Sequence, residues 1–333
     1  MKMKIGMKRA FALVLSSVML CMSLAGCGGA AGSTGDGTSQ VNIAYQYGLA
    51  YAPVIIAKEQ GLIEKAYEEA TGKQLTVTWN QMSSGADINT AFVSGSINVG
   101  FMGIAPAITG VANQVGYKVF TGLSGQEHGM MTSNPDIKTI GDLVGSDKQI
   151  ALVNIGSIQH IILAKALAHA GFDAHSLDSN IVAMKHPDGM SSLVSGSIPC
   201  HLTSNPYLYQ EQDNESLYPV EGIADVWSVE SSFIVGIASQ DLKDGDPQAY
   251  EAVCKGIAQA IEYIKANPEA AAQLTCEFNG NTPEDELKYM QKGNYSVETT
   301  GIFDLATFMS ENGFVDKSFA GYGDLVFDNV KGN

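Results

Sequence analysis

Arginine is nearly absent from this sequence, and basic residues of both kinds are scarce. The 333 residues include 19 Lys and Arg against 35 Asp and Glu, which gives a formal net charge of −16. Arg9 is the only arginine. Because a nucleic acid is bound by a basic protein face, this balance argues strongly against a nucleic-acid-binding protein.

Cysteine is also sparse, and the histidines show no metal-binding pattern. Of the five cysteines, only Cys200, Cys254 and Cys276 lie beyond residue 27. They form no C-x-x-C, and three thiols allow at most one disulfide bond within the chain. The six histidines are scattered, and neither H-E-x-x-H nor G-x-S-x-G nor a Ser-His-Asp spacing occurs. We therefore expect no metal, no cofactor and no enzymatic activity.

The first 27 residues have the pattern of a bacterial lipoprotein signal. Residues 2–9 hold three lysines and the arginine, and residues 10–25 carry no charge. The uncharged run is shorter than the roughly 20 residues that span a membrane, so it predicts a secretion signal. It ends in Leu-Ala-Gly-Cys, which resembles a lipobox and predicts lipidation of Cys27. An ordinary signal peptide or an uncleaved anchor is the alternative.

A polar segment separates this signal from the rest of the chain. Residues 28–39 are almost all Gly, Ser, Ala and Thr, a composition that buries too little apolar surface to fold. We expect residues 1–26 to be the signal and residues 27–40 to be the lipidated cysteine and a flexible tether. Since the arginine is removed with the signal, the mature protein would bind any anion without a guanidinium group.

Strand and helix patterns alternate from residue 41 onward. Residues 41–45 alternate in hydropathy and predict a strand, and Pro53 predicts the start of an apolar helix. This order is typical of largely parallel sheets covered by helices. Further strands are predicted at 75–79, 99–102, 118–121, 149–153, 181–184 and 233–237. Further helices are predicted after Gly85, Pro106 and Gly156, and at 188–195, 247–266, 268–275 and 283–291. The C-terminal region is predicted to lack strands.

One short segment of the chain occurs twice in similar form. The sequence FVSGSI at 92–97 is similar to LVSGSI at 193–198. Each copy follows a predicted helix and precedes a predicted strand. Two lobes of similar topology are the simplest cause, although a helix, a glycine cap and a strand follow one another in many α/β proteins.

Several short segments, taken in order, make the chain similar to a known family. It resembles the solute-binding lipoproteins of ABC importers for sulfonates, taurine, nitrate and related small molecules, over residues 41–320. The segments are APVIIAKEQGL (52–62), SSG (83–85), VSGSI (93–97), GIAP (103–106) and GSIQH (156–160), with weaker matches at DGM (188–190) and NPY (205–207).

The resemblance implies a two-lobed periplasmic-binding-protein-like α/β fold of type II. Each lobe would be a mostly parallel sheet flanked by helices, with the ligand cleft between the lobes. The chain would cross between lobes near residues 126–131 and 231–234. Lobe one would then comprise residues 41–127 plus 233–333, and lobe two residues 128–232.

The resemblance also implies an extracytoplasmic solute-binding receptor, lipid-anchored and monomeric. It would capture a small anionic organic solute by lobe closure and deliver it to the permease and ATPase subunits of an ABC importer. Three alternatives stay open. The ligand could be a neutral heterocycle such as a thiamine-precursor pyrimidine, and the scaffold could serve an enzyme or a sensor.

The candidate ligand site lies where predicted strands end and helices begin. Ligands collect beyond the carboxyl ends of parallel strands, and a helix start offers free N–H groups and partial positive charge. Three such starts occur in this chain, and plain helix capping is the alternative role for their serines. The candidate residues are Ser83, Ser84, Gly103, Ile104, Gly156 and Ser157.

Further candidates are aromatic or titratable. Tyr45, Tyr47 and Tyr51 flank the end of the first strand, where aromatic rings can line a pocket. His160 follows Gly156 by one helical turn, and it either donates to an anion or is a satisfied histidine behind the site. His128 falls at the first predicted crossing.

The last candidate is Asn205, where the sequence departs from the family pattern. Family members often carry an acid before the Pro-Tyr pair, whereas here the pair follows Ser204 and Asn205. Since an amide does not neutralise a ligand amine, an amino-sulfonate such as taurine is disfavoured relative to a neutral heterocycle or an anion without an amine.

Overall fold

The computed structural model describes residues 39–333, which form two β-sheets with helices packed around them. The predicted signal, Cys27 and nearly all of the predicted tether lie outside the described residues. The strands are β1 (Ser39–Tyr45), β2 (Leu75–Gln81), β3 (Val99–Gly103), β4 (Tyr117–Gly125), β5 (His128–Thr132), β6 (Ile150–Leu152), β7 (Ile181–Ala183), β8 (Cys200–Ser204), β9 (Tyr218–Val220), β10 (Ile234–Ser239) and β11 (Asn294–Tyr295).

Helices connect most of these strands. They are α1 (Ala52–Gln60), α2 (Leu62–Thr71), α3 (Gly85–Val93), α4 (Ile104–Ala112), α5 (Ile158–His169), α6 (His186–Val194), α7 (Tyr207–Gln212), α8 (Gln240–Gly245), α9 (Pro247–Ala266), α10 (Pro268–Asn279), α11 (Pro283–Met290) and α12 (Ile302–Glu311). No described helix is both long enough and apolar enough to cross a membrane.

Both sheets are mixed rather than purely parallel. The first has the order β11-β4-β10-β3-β1-β2, and the second has the order β7-β6-β8-β5-β9. In the first sheet β1, β2, β3 and β4 run the same way, while β10 and β11 run against them. In the second sheet only β5 runs against its neighbours. Most strands of each sheet therefore point the same way, as predicted. The few strands that run against them form antiparallel pairs with their neighbours.

The chain passes between the two sheets twice. It leaves the first sheet at the end of β4 and enters the second at β5, only two residues later. It returns between the end of β9 and the start of β10. The first sheet thus contains strands from both ends of the described chain, which places the C-terminal helices beside it.

Local sequence explains most element boundaries. Gly61 and Gly72 adopt left-handed φ values of 59° and 68° and end α1 and α2, as glycine does at helix C-termini. Helix α1 is buried over its first six residues because it packs against the helices α9 and α10. The fully buried rings of Phe101 and Phe120 fill the centre of the first sheet.

Several elements differ from the sequence-based predictions. Strand β1 begins at Ser39, inside the predicted tether, and α4 begins at Ile104 rather than at Pro106. The prediction of a C-terminal region without strands is wrong, because β11 pairs with β4. A two-residue strand has too little sequence for a pattern, and only its tertiary pairing defines it. The three cysteines beyond residue 27 are free thiols.

Candidate functional site

A cavity lies at the carboxyl ends of strands from both sheets. It encloses about 540 Å³ of empty space, part of it open to solvent. Its walls come from residues that end or directly follow β1, β2, β3, β6, β7 and β8, as expected for a ligand site in an α/β protein. The lining residues are Gln46, Tyr47, Gly48, Ala50, Tyr51, Ser83, Gly85, Gly103, Pro106, Val153, Ser157, Ile158, Gln159, Lys185, His186, Ser204, Asn205, Phe233 and Ile234.

Four helices begin at this cavity. Its lining includes the residue just before the first turn, or residues within it, of α3, α4, α5 and α6. Tyr51, just before α1, also lines the cavity, but α1 continues from a 3-10 turn at Leu49–Tyr51, and the Ala52 N–H donates to the Leu49 carbonyl. Each of these helices is at least nine residues long. A helix N-terminus carries roughly half a positive charge and unpaired N–H groups. The cavity is therefore a strong candidate for binding an anion.

The charges on the cavity wall agree with this view. Among the described lining residues there is no carboxylate, although the chain has 35 acidic residues. The one cationic side chain of the lining is Lys185, which is exposed and directly precedes α6. Such a wall attracts a negative group and offers no counter-charge to a positive one.

The serines at the helix starts have different roles. The Ser157 hydroxyl caps α5 by accepting from the His160 backbone N–H at 3.3 Å, so its own hydrogen is free to donate into the cavity that it lines. Ser84 caps α3 by accepting from the Asp87 N–H at 3.1 Å, but it does not line the cavity, whereas Ser83 does.

A hydrogen-bonded wall closes the cavity at the second sheet. His186 Nδ1 lies 2.9 Å from the Thr203 hydroxyl, and His186 Nε2 lies 3.4 Å from the Gln159 amide nitrogen. Burial lowers the pKa of His186 to about 3, so the ring is neutral at physiological pH. A neutral ring between two polar neighbours fixes the position of the Gln159 amide in the cavity wall.

Behind this wall lies a fully buried histidine–glutamate pair. His201 Nδ1 and Glu211 Oε1 are 2.5 Å apart. Burial raises the pKa of Glu211 and lowers that of His201, so burial disfavours the charged form of each group.

The structure brings half of the predicted site residues to the cavity. Those that line it are Tyr47, Tyr51, Ser83, Gly103, Ser157 and Asn205. Those that lie outside the lining are Tyr45, Ser84, Ile104, His128, Gly156 and His160. Ligand contact by the first group stays a prediction, which rests on their shared position in the cavity wall.

His160 has both ring nitrogens occupied by protein groups. Its Nδ1 accepts from the Gly156 N–H at 2.9 Å, so Nε2 carries the hydrogen and donates to Asp178 Oδ1 at 2.8 Å. The ring is 2% exposed. His160 is thus a satisfied histidine that fixes the loop before α5, which was the alternative to ligand contact.

The other residues outside the lining also have structural partners. His128 packs edge-on against Phe233 at 4.4 Å between ring centroids, and burial lowers its pKa to about 3. Tyr45 packs against Trp79 and Phe278. The Ile104 N–H donates to the Phe233 carbonyl at 2.9 Å, so it is not free for a ligand.

Sequence reasoning missed several lining residues. Lys185 and His186 lie between β7 and Pro187. That is the same strand-to-helix signal that identified the other helix starts, so it could have found them. Phe233 could have been found from the second predicted crossing, at residues 231–234. Gln159 carried no signal of its own, because a glutamine inside a helix is an ordinary residue there.

No described set of three or more His, Cys, Asp and Glu side chains is grouped for a metal ion. The polar groups of the cavity wall come from amides, hydroxyls, His186, Lys185 and backbone groups.

Comparisons with known proteins agree with this geometry. A model of the NMT1-like family matches residues 35–278. The taurine-binding periplasmic protein of Escherichia coli (strain K12) is 25% identical, over 86% of this chain and 91% of that protein.

Two solved structures share the fold. The alkanesulfonate-binding protein SsuA from Xanthomonas axonopodis pv. citri, bound to MOPS, has a TM-score of 0.70 at 16% identity and covers 89% of this chain and 99% of that one. The periplasmic aliphatic sulphonate binding protein SsuA from Escherichia coli has a TM-score of 0.66 at 18% identity, with 88% and 93% covered. The predicted two-lobed, type II α/β fold is confirmed.

Proposed function

Because the chain belongs to the NMT1-like family, we propose that it is the extracytoplasmic solute-binding receptor of an ABC importer. Its ligand is a small organic anion of the sulfonate class. The relatives named above bind taurine and sulfonates, and the chain spans nearly their whole length. A binding protein of this kind is not an enzyme.

The observation that carries this proposal is the composition of the cavity wall. Four helix starts and Lys185 border a space that no described carboxylate lines. In a chain of net charge −16, a wall free of acids favours an anion over a cation or a neutral heterocycle. The apolar part of the wall, from Ala50, Val153, Phe233 and Ile234, suits a short carbon skeleton.

Ligand capture uses closure of two lobes about the ligand. We take lobe one as residues 41–127 plus 233–333 and lobe two as residues 128–232. The cavity takes wall residues from both sheets, so one ligand can contact both lobes at once and favour the closed form. Gly103 supports close approach, because a Cβ atom there would lie 2.9 Å from Cγ2 of Ile158. The closed monomer then docks on the permease and its ATPase.

The receptor is held at the membrane by its amino terminus. Lipidation of Cys27 after removal of residues 1–26 would attach the protein through the polar segment before β1. One lipid-modified residue on a tether keeps the ligand-binding part near the permease without a membrane-spanning helix.

A thermal-shift screen of the chain tests the proposed function. The panel comprises alkanesulfonates, taurine, nitrate, bicarbonate, aromatic acids and neutral pyrimidines. A ligand at about 100 times its Kd adds about 2.7 kcal/mol of stability, which raises Tm by a few degrees at this size. A shift with sulfonates that becomes smaller in Ser157→Ala and in Lys185→Met is expected. A shift with neutral pyrimidines alone would refute the anion site and leave the receptor fold standing.

A further inference from the structure

The side chain of Asn205 is held beside the cavity by a buried hydrogen bond. Asn205 Nδ2 donates to Gln126 Oε1 at 3.0 Å, and both side chains are buried. Nearby along the chain, the Tyr209 hydroxyl donates to Glu127 Oε2 at 2.5 Å.

This bond commits the amide nitrogen of Asn205 to a partner within the protein. The oxygen of the amide is then the atom left to accept from another group.

The oxygen of the same amide has no partner. Asn205 lines the cavity and is 1% exposed. Within residues 39–333, its Oδ1 accepts no hydrogen bond. A buried acceptor without a donor is costly, so this oxygen favours a ligand that brings a donor.

We propose that Asn205 Oδ1 makes this receptor select organic anions that carry a neutral hydrogen-bond donor, a hydroxyl or an amide N–H, and reject those that carry an ammonium group. The inference rests on the proposed anion-binding function and names the part of the ligand opposite its charge. Asn205 is then a specificity-determining residue, and the helix starts bind the anionic end.

Rejection of an ammonium group follows from the charge of the wall. An ammonium ion entering a closed cavity loses its hydration, and a carboxylate partner is what normally compensates that loss. The described lining contains no carboxylate, and it contains the cation Lys185. Glu127 is beyond Tyr209 and does not line the cavity. One amide oxygen satisfies a hydroxyl hydrogen fully but leaves most of an ammonium group unpaired.

Three sulfonates of nearly equal size separate the effect of a neutral hydrogen-bond donor from the effect of an ammonium group. Ethanesulfonate has no donor, 2-hydroxyethanesulfonate has a neutral donor, and 2-aminoethanesulfonate has an ammonium group. Isothermal titration with the full chain in detergent gives a Kd for each. We expect 2-hydroxyethanesulfonate to bind about tenfold more tightly than ethanesulfonate, the worth of one hydrogen bond to a buried acceptor, and 2-aminoethanesulfonate to bind more weakly than either.

A charge swap at the same position should reverse the preference. In Asn205→Asp the carboxylate supplies the missing counter-charge, and Gln126 can turn its amide to donate to it. The ratio of Kd for 2-hydroxyethanesulfonate to Kd for 2-aminoethanesulfonate should rise at least about tenfold. Asn214→Asp is the matched control, because Asn214 lies in the loop after α7, where its Oδ1 accepts from the Ser216 N–H. It should leave the ratio unchanged.

The outcomes separate this proposal from the function on which it rests. Equal binding of ethanesulfonate and 2-hydroxyethanesulfonate, or tightest binding of 2-aminoethanesulfonate, would overturn the selectivity while leaving the sulfonate receptor intact. Binding of none of the three would overturn the proposed function and the selectivity with it. The series uses the unmodified protein, so the answer does not depend on whether Asn205→Asp folds.

Discussion

Lys185 is the single residue that most changes the electrostatics of the cavity. It is the only cationic side chain among the described lining residues, and it stands just before the first turn of α6. Its positive charge therefore adds to that of the helix starts. Since Lys185 is exposed, water and salt weaken its attraction for an anion.

Replacing this lysine should weaken binding moderately. In Lys185→Met we expect the Kd for ethanesulfonate to rise about threefold to tenfold, since a charge-assisted contact at an exposed site contributes little more. The salt dependence of the Kd should also flatten. Titration calorimetry at low and high salt measures both.

Lys138→Met is the matched control for that experiment. Lys138 is exposed in the segment after β5 and lies outside the cavity, so its loss should leave the Kd unchanged. An unchanged Kd in Lys185→Met would show that the helix starts alone bind the anion.

At the residue scale, the sequence predicted positions better than roles. Ser83, Gly103 and Ser157 could be found because each lies between a strand pattern and a helix pattern, and the structure places all three at the cavity. The role of His160 could not be found, because its partner Asp178 lies 18 residues away and only the fold brings the two together.

At the scale of elements, His175 connects the segment after α5 to the C-terminal end of α12. Its Nε2 lies 2.8 Å from the carbonyl oxygen of Asn312, the C-cap of α12, and its Nδ1 lies 2.8 Å from Asp178 Oδ2. Both of these groups are acceptors only, so both contacts are satisfied only when the ring carries two hydrogens. The ring also packs on Phe314, at 4.5 Å between centroids.

Protonated His175 therefore stabilises contact between the two proposed lobes. The Asn312 carbonyl raises the pKa of His175 most, and Asp178 raises it further, with Asp173 adding a smaller effect. The other group on Asp178 is His160, which donates to its second oxygen. A cation at the C-terminus of a helix is favourable. If the lobes open, the Asn312 contact is lost and the pKa of His175 falls.

Ligand affinity should consequently depend on pH through this residue. The closed form binds the extra proton, so its advantage is complete at acidic pH and is lost as pH rises through the raised pKa of His175. We expect ethanesulfonate to bind about twofold to fivefold more tightly below that pKa than above it. The Kd measured from pH 5 to 8 checks this, because burial keeps His128, His186 and His201 neutral throughout that range.

In His175→Gln the Kd for ethanesulfonate should no longer depend on pH and should stay at the weaker value that the wild type shows above the pKa of His175. His169→Gln is its control, because His169 is exposed at the end of α5 and should leave the profile as it is. A slope that survives in His175→Gln would assign the pH dependence to another group.

At this scale the sequence predicted elements with a clear local pattern and missed those without one. Helix α9 was predicted with its observed bounds, because its apolar face and Pro247 mark it clearly. Strand β11 and helix α12 were missed. The first has two residues, and the second is packed against α4 by contacts that no local pattern encodes.

At the scale of the whole molecule, the proposed protein is a two-lobed receptor with a lipid anchor. The order of strands and helices, together with family resemblance, was enough to predict the fold. The sheet order was not predictable, since β10 inserts between β3 and β4 more than a hundred residues after β4 ends. Antiparallel pairing of that returning strand and of β11 makes the first sheet mixed.

The proposed lipid anchor at Cys27 can be tested in the intact protein. Wild-type chain expressed in a bacterial host should partition into the detergent phase after Triton X-114 extraction, because a lipid on Cys27 binds the micelle. Cys27→Ser should appear in the aqueous phase or keep its unprocessed mass. Cys21→Ser removes a neighbouring thiol of the same segment and should behave as wild type. Detergent-phase recovery of Cys27→Ser at its processed mass would contradict the lipid anchor.

The most direct test of the central claim is a crystal structure of the chain with ethanesulfonate. We predict one molecule in the cavity, with its sulfonate oxygens accepting from N–H groups at the helix starts and its carbon end toward Asn205. A sulfonate bound outside the cavity, or one turned so that its charge faces Asn205 and away from the helix starts, would contradict the account.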